Sequence, residues 1–435
     1  MKGAVVILYK LLDDYGCYYV GFLTVQLNMP YDGNTVFGEL NEEDQATIIH
    51  EYIHYLQDIS TVRGVTSFNH IVKSLNFAFA IITHNHEATS LPIRFSPELD
   101  VDSYLSYEIQ SYYKGTTSLF KRIHHLNRIR PDENDVLVDL YKHYPDKVPK
   151  EMVDNYRFIS VYYDDKENSP FYLGSDCIAE SMAYLIENQL FDHIERKNEI
   201  PYNLCELIVK RRCPKNNISK TILVAICELS LMHENSGEMF FRILSEIKRK
   251  HLYFSNIDEF ERYFAPRTKH LFYPLNDLLV KITNSLDYLY PKNIPSMKET
   301  NQYLKRCFQS GIMQRKHGLF ISRMLEMNRA DREKEIESWM HNLGMPAIIN
   351  NRYEVFSDEG VELINCLAPL SLYNIFFESP KSCFGYNTCK EQSFPLFDEV
   401  VCRTCPWKQI EKDNLCPFSL YFQRFGISPD SIHKE

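Results

Sequence analysis

The feature that most constrains the fold is a strongly marked helix over residues 42–59. Asn41 precedes it, and asparagine is a favourable N-cap because its side chain accepts a hydrogen bond from a backbone N–H group of the first turn. Asp44 stands three residues later, where an acidic side chain suits both the cap and the helix dipole. An apolar face follows at helical spacing, formed by Ile49, Ile53 and Leu56. The sequence therefore predicts a helix here.

The composition predicts an α+β protein that is mostly helical. The chain has 435 residues, of which 44% are hydrophobic, so it contains enough apolar material for a sizeable core. It has only 15 glycines, well below the usual share of about 7%. Because glycine supplies the positive-φ positions of tight turns and hairpins, this scarcity argues against an all-β fold.

The charge balance and the apolar segments exclude several classes of partner. The chain carries 58 acidic and 48 basic residues, a net charge of -10, which makes nucleic acid a poor partner. Its longest apolar stretches are far shorter than the roughly 18 residues that span a bilayer, and we recognise no signal peptide. The 12 cysteines are too sparse for a disulfide scaffold. We expect a cytoplasmic protein with neither a membrane nor a nucleic-acid partner.

Local patterns place short strands early in the chain and helices later. We expect strands at 4–12, 18–27 and 35–40, and a hairpin formed by 158–164 and 171–173. Prolines and acidic residues predict loops near 130–134. The predicted helices after the first are 67–83, 103–126, one that begins near 175, 205–211, 220–233, 238–250, 275–289, 301–320 and 329–342.

The first predicted helix carries His50, Glu51 and His54 in an H-E-x-x-H arrangement. Residues four apart on a helix lie on one face about one turn apart, so the two imidazoles can converge on a single ion. Glu51 would then flank the coordination position that the protein leaves open. This arrangement is typical of zinc hydrolases. The plainer alternative is an amphipathic helix whose two histidines bind no metal.

On these residues the chain resembles the HExxH metallopeptidases, or zincins, over about residues 30–195. The metzincin branch is excluded, because Gln57 and Ser60 occupy the positions where that branch has glycine and a third histidine. The gluzincin branch takes its third metal ligand from a glutamate on a later helix, often within E-x-x-A-D. The segment from Glu180 to Ala183 is the best downstream match, so the resemblance implies Glu180 as the third ligand.

The resemblance does not settle which residue orients the imidazoles, and it leaves other candidates for the third ligand. Many gluzincins have an aspartate where this chain has Tyr184, and that aspartate orients one imidazole. Asp58, one turn beyond His54, and Asp176, one turn before Glu180, are the candidates to replace it. The remaining candidates for the third ligand are Asp176, Glu187, His193 and the pair His233 and Glu234.

The resemblance implies a zinc-dependent peptidase that cleaves a protein or peptide substrate. A catalytic zinc takes three protein ligands, keeps a fourth position for water and lowers the pKa of that water to about 7. Glu51 would act as general base and then deliver the proton to the leaving amine. Two alternatives stay open: a regulatory or interaction protein whose metal sites are structural, and a hydrolase that acts on another class of substrate. The sequence does not single out an oxyanion-stabilising tyrosine.

Five cysteines crowd into the last 53 residues with the spacing C-x5-C-x12-C-x2-C-x10-C. A C-x2-C pair places two thiolates on one tight turn, and two nearby cysteines can complete a tetrahedral site. We predict that the ligands are Cys389, Cys402, Cys405 and Cys416. Structural zinc is preferred, but a proline follows both Cys405 and Cys416, as beside iron–sulfur clusters, so a cluster stays open. Reduced, buried cysteines or a redox pair are the alternative.

These patterns together predict three units. Residues 1–195 would form a zincin-like catalytic domain, 196–345 a helical domain, and 346–435 a small Cys-rich domain that binds a second metal.

Overall fold

The computed structural model describes most of the chain, namely residues 10–12, 16–32, 37–84, 88–97, 99–115, 121–122, 126–132, 135–148, 150–155, 157–163, 166–191, 199–268, 275–356, 364–378, 382–411 and 416–434. Within these ranges the protein is α+β and mostly helical, as the composition predicts. Predicted positions 1–9, 33–36, 123–125 and 164–165, and the candidate ligand His193, lie outside the described residues.

Helices α1 to α18 follow in chain order as Glu42–Ser60, Val62–His84, Val101–Lys114, Asp135–His143, Lys150–Asn155, Ser175–Leu190, Leu204–Arg212, Lys220–Leu231, Ser236–Lys250, Ile257–Thr268, Leu275–Leu289, Pro295–Gln314, Phe320–Arg323, Arg329–Leu343, Ile364–Tyr373, Tyr386–Glu391, Glu399–Thr404 and Pro417–Arg424. Strands β1 to β12 are Lys10–Leu12, Gly16–Tyr19, Thr24–Leu27, Thr89–Leu91, Lys121–Arg122, Leu126–Asp132, Phe158–Tyr163, Lys166–Leu173, Glu199–Ile200, Ala347–Ile349, Val355–Phe356 and Ile432–Lys434.

The predicted first helix is confirmed as α1, including its cap. The Asn41 side chain accepts a hydrogen bond of 2.9 Å from the backbone N–H of Asp44. From Ala46 to Ser60 every side chain of α1 is buried, because the helix packs against α2, α6, α12 and β2. This helix is therefore surrounded by protein along most of its length, and its polar residues must find their partners inside the fold.

The main sheet joins distant parts of the chain. Its strand order is β1-β2-β3-β10-β11, with β1, β2 and β3 antiparallel and β10 parallel to β3. A smaller sheet of β6, β7 and β8 contains the predicted hairpin, and β12 near the end of the chain pairs with β4. One buried hydrophobic cluster extends from Cys17 to Ile432. The three-unit division stays a prediction.

Three local predictions are wrong. The helix expected at 103–126 ends at Lys114, because Gly115 has φ of +83° and lies against the backbone of Gly174. Part of the region expected to be a loop, 130–132, belongs to β6, which pairs with β7. In the predicted strand 35–40, the described residues Phe37–Glu39 form a 3₁₀ turn.

The later helices agree with the sequence to within a few residues, apart from 301–320. That segment is covered by α12, which begins earlier at Pro295 and ends at Gln314, and by the short helix α13. The sequence did not predict α10, Ile257–Thr268. Among the described helices, none is both long enough and apolar enough to cross a bilayer.

Candidate metal centre

Two long helices bring together the three predicted metal ligands. His50 and His54 lie one turn apart on α1, and Glu180 lies on α6, which packs against it. The Nε2 atoms of the two histidines are 3.3 Å apart. The Oε2 atom of Glu180 lies 3.2 Å from Nε2 of His50 and 3.5 Å from Nε2 of His54. In the described part of the chain, these three side chains form a buried group that could hold a metal ion.

The separations between these ligand atoms fit a tetrahedral ion. With metal–ligand bonds of about 2.0–2.1 Å, as zinc makes to nitrogen and oxygen, the ligand atoms of a tetrahedron lie about 3.3–3.4 Å apart. The three measured separations bracket this value, since they run from 3.2 to 3.5 Å. The three side chains therefore outline one face of a tetrahedron, and among the described residues no fourth histidine, cysteine or carboxylate joins the group.

The second ring nitrogen of each imidazole, Nδ1, also has a hydrogen-bond partner. Nδ1 of His50 donates to Oε2 of Glu187 at 2.8 Å, and Nδ1 of His54 donates to Oε1 of Gln57 at 3.0 Å. The Gln57 amide in turn donates to the backbone oxygen of Ala179 on α6 at 3.2 Å. Partners of this kind set the tautomer and direct Nε2 toward a metal.

The sequence contained a signal for these partners that motif matching missed. Glu187 lies seven residues after Glu180, so both face the same side of α6 two turns apart, and Gln57 lies three residues after His54. Glu187 was a candidate third ligand. In the structure its carboxylate instead accepts a hydrogen bond from Nδ1 of His50, whereas Glu180 lies beside Nε2.

The charges of the site are strongly coupled. Burial by itself lowers the pKa of His50, but hydrogen bonds to Glu180 and Glu187 outweigh it and raise the pKa well above its usual value. Burial raises the pKa of Glu180, but His54 and His50 outweigh it and hold this pKa well below its usual range. The carboxylate is thus kept ionised, the form that binds a cation.

A buried ion-pair network clamps the two helices that carry the ligands. Arg63 pairs with Asp58 at the end of α1 at 2.8 Å and with Asp176 at the start of α6 at 2.9 Å. Asp58 also accepts hydrogen bonds from the hydroxyl of Tyr18 and the backbone N–H of Gly21. The prediction that Asp58 or Asp176 orients an imidazole is therefore wrong, since Arg63 engages both carboxylates and Glu187 and Gln57 hold the imidazoles.

Glu51 is buried next to β2. A Cβ atom added to Gly16 would lie 2.8 Å from Oε1 of Glu51 and 3.1 Å from its Cγ. Glycine at the start of β2 therefore leaves the space that the Glu51 carboxyl group occupies. His50, Glu51, His54 and Glu180 are each at most 3% exposed, so the group is enclosed.

Two aromatic rings flank the histidines. The ring of Tyr18 lies 6.0 Å from that of His54, and the ring of Tyr202 lies 6.2 Å from that of His50. Of the other candidate ligands, His233 hydrogen-bonds within its own turn to the backbone of Asn235 and lies outside the group.

The predicted cysteine site is arranged differently. All five cysteines near the C-terminus are half-buried, and all twelve cysteines of the chain lie in the described ranges without forming a disulfide. The backbone N–H of Cys383 donates to the oxygen of Cys402 at 3.1 Å, which brings these two parts of the chain together. The predicted set Cys389, Cys402, Cys405 and Cys416 stays a prediction.

No protein-family model, no curated protein and no solved structure matches this chain. The resemblance to the zincins therefore rests on the H-E-x-x-H segment and the Glu180 helix alone, and any function must be argued from the geometry of the site.

Proposed function

We propose that the chain is a zinc-dependent peptidase in which His50, His54 and Glu180 bind the metal and Glu51 is the general base. The convergence of the three ligand atoms, 3.2–3.5 Å apart, carries this proposal. A structural zinc site usually has four protein ligands, whereas a catalytic site has three and keeps one position for water. The described residues offer three.

The chemistry divides between the metal and the carboxylate. A bound zinc ion supplies Lewis acidity and makes water acidic enough to be deprotonated near neutral pH. Glu51 follows His50 directly in the chain, and its buried carboxylate would take that proton and pass it to the leaving amine. Glu187 and Gln57 would keep the two imidazoles aligned throughout.

The burial of the site favours a second candidate, a metal centre that stabilises a regulatory or interaction protein. His54 is fully buried and Glu180 is 1% exposed, as expected for a site that only holds the fold together. Glu51 discriminates between the two candidates, because a structural site has no use for a carboxylate beside an open coordination position.

We further propose a cytoplasmic location. None of the twelve cysteines, all of which are described, is joined in a disulfide, and a reducing compartment keeps thiols in this form.

The test is peptide cleavage by the zinc-loaded full chain and by Glu51→Gln, measured by mass spectrometry on a library of peptides and on unfolded casein. Glu43→Gln is the matched control, because Glu43 lies exposed on the same helix. We expect the loss of general-base catalysis to lower the rate at least about 100-fold in Glu51→Gln, with zinc retained.

Full activity in Glu51→Gln would exclude the mechanism. A zinc-loaded wild-type protein that cleaves none of the library, and is much less stable once a chelator has removed its metal, would favour the structural candidate instead.

A further inference from the structure

A cavity between α2 and the start of α3 contains polar groups that take no part in the metal centre. Its volume is about 360 Å³, at the small end of the range of ligand-binding pockets. One wall is α2 from His70 to Ala80, and the other is formed by residues between Phe95 and Ser106. This lining combines aromatic rings, hydrogen-bonding groups and charges of both signs, which is the usual character of a site for a small molecule.

Two buried polar atoms of this lining have no hydrogen-bond partner among the described residues. They are Nδ1 of His70 and Oγ of Ser74, whose side chains lie one turn apart on α2. His70 is 6% exposed and Ser74 is 2% exposed, so folding removes both groups from bulk water. Buried polar groups are nearly always paired, and each unpaired group therefore calls for a partner that the chain itself does not supply.

The imidazole of His70 is neutral. Burial, together with the charges of Lys114 and Lys73, lowers its pKa to about 3. A neutral imidazole donates a hydrogen bond from one ring nitrogen and accepts one at the other, and a serine hydroxyl does both. In the tautomer with its proton on Nδ1, His70 and the Ser74 hydroxyl are two neighbouring donors, which suits a carboxylate that accepts from both.

Charges of both signs stand at the mouth of the cavity. Lys73 is exposed and directly precedes Ser74 in the chain. Across the cavity, Asp100 accepts a hydrogen bond of 3.1 Å from the backbone N–H of Asp102, and Asp102 accepts one of 2.9 Å from Lys147. These bonds hold the two carboxylates in place. Each carboxylate also keeps lone pairs with which it can bind an ammonium group.

Stacked aromatic rings form the apolar part of the lining. Phe77 and Phe95 both line the cavity, and their ring centroids are 4.8 Å apart. Phe95 also stacks on Tyr107 at 4.5 Å, and Tyr107 stacks on His70 at 6.1 Å. The four rings form a continuous row, which places an apolar surface directly beside the polar groups.

We propose that this cavity binds a free amino acid with an apolar side chain, such as phenylalanine. The Lys73 ammonium and the Ser74 hydroxyl bind its carboxylate, with the imidazole one turn away. The two carboxylates at the mouth bind its ammonium group. The rings of Phe77 and Phe95 contact its side chain. This site is independent of the proposed peptidase centre.

The test is calorimetric titration of the full chain with phenylalanine and with two analogues that each lack one charge. Hydrocinnamate lacks the ammonium group, and phenethylamine lacks the carboxylate. We expect phenylalanine to bind with a dissociation constant of about 1 mM or lower. Each analogue should bind at least about 10-fold more weakly, because it loses hydrogen bonds between charged groups. The wild-type chain is sufficient for this comparison.

Two variants locate the binding in the cavity. Lys73→Met should weaken the binding of phenylalanine at least about 5-fold and leave that of phenethylamine, which has no carboxylate, unchanged. Ser74→Ala removes one donor and should weaken phenylalanine to a similar degree. Lys316→Met is the matched control, because Lys316 is exposed and does not line the cavity, and it should bind phenylalanine like the wild type.

Three outcomes would overturn the proposal. The first is a wild-type chain that binds no phenylalanine at about 10 mM. The second is an analogue that binds as tightly as phenylalanine, since the cavity would then not recognise both charges. The third is phenylalanine binding that neither Lys73→Met nor Ser74→Ala weakens, which would place the ligand elsewhere on the protein.

Discussion

The two candidate metal sites of this protein are built in opposite ways. His50, His54 and Glu180 project from the middle of two long, packed helices and are almost fully buried, with ligand atoms within 3.5 Å of one another. The C-terminal cysteines lie within or beside short helices and are half-buried. Ligands on long, packed helices are held more precisely than ligands on short elements near the surface, so the first site is the better defined of the two before any ion binds.

The two sites should lose their metals independently, and this is the largest effect that we expect. His54→Ala removes one of three ligands, so the zinc held by this site, about one ion per chain, should be lost while any metal at the cysteines is unchanged. Elemental analysis of zinc and iron in the wild type and the variant measures both. If zinc stays at the wild-type level in a folded His54→Ala protein, the H-E-x-x-H segment is an ordinary helix.

Arg63 joins the two helices that carry the proposed ligands, through its ion pairs with Asp58 and Asp176. Arg63→Met would leave the buried carboxylates of Asp58 and Asp176 without a counter-charge, and breaking such a pair costs about 3–5 kcal/mol of unfolding free energy. Urea unfolding followed by circular dichroism measures the loss. The control is Arg329→Met, which breaks an exposed pair with Glu333 and should cause no measurable change. Equal stability of the two variants would show that the ion pairs of Arg63 do not stabilise the fold.

The substitution Gly16→Ala tests the position of Glu51 without changing a proposed metal ligand. The added methyl group of Gly16→Ala would displace the Glu51 carboxyl group, and a displacement of about 1 Å can lower a catalytic rate about 100-fold. Zinc content should not change. Gly38→Ala is the matched control, because a Cβ there meets nothing within 4 Å. Wild-type kcat in Gly16→Ala would mean that the carboxyl group is not needed where the structure places it.

The substitution Glu187→Gln tests whether the hydrogen bond to Nδ1 of His50 contributes to zinc affinity. Glu187→Gln keeps the shape of the side chain but removes the charge that holds Nδ1 of His50, so zinc should bind about 10-fold more weakly or worse. Titration against a fluorescent chelator measures this affinity. Glu43→Gln should bind zinc like the wild type, and a Glu187→Gln protein that does the same would assign Glu187 to folding alone.

How much the sequence predicts differs between the two regions. Helix α1, with His50 and His54 one turn apart on it, was predictable, because capping and periodicity depend on neighbours along the chain. The partner of His50 was harder to predict, since the contact of Glu187 depends on how α1 and α6 pack against each other, whereas Gln57 contacts His54 within α1 and was missed because it belongs to no motif. Arg63 was missed for the same reason, as its two partners are 5 and 113 residues away.

Elsewhere the errors have local physical causes. The helix predicted at 103–126 ran past Gly115, whose conformation is set by its contact with Gly174 rather than by its neighbours in sequence. For the cysteines, the predicted set Cys389, Cys402, Cys405 and Cys416 stays a prediction, because spacing along the chain does not report which thiols face the same space.

The most direct test of the central claim, that His50, His54 and Glu180 bind zinc with one position left for water, is zinc-edge X-ray absorption of the wild-type chain. The account predicts nitrogen and oxygen atoms at about 2.0–2.1 Å from the zinc, with scattering from imidazole rings. A first shell made only of sulfur atoms at about 2.3 Å would place all of the zinc at the cysteines and contradict the claim.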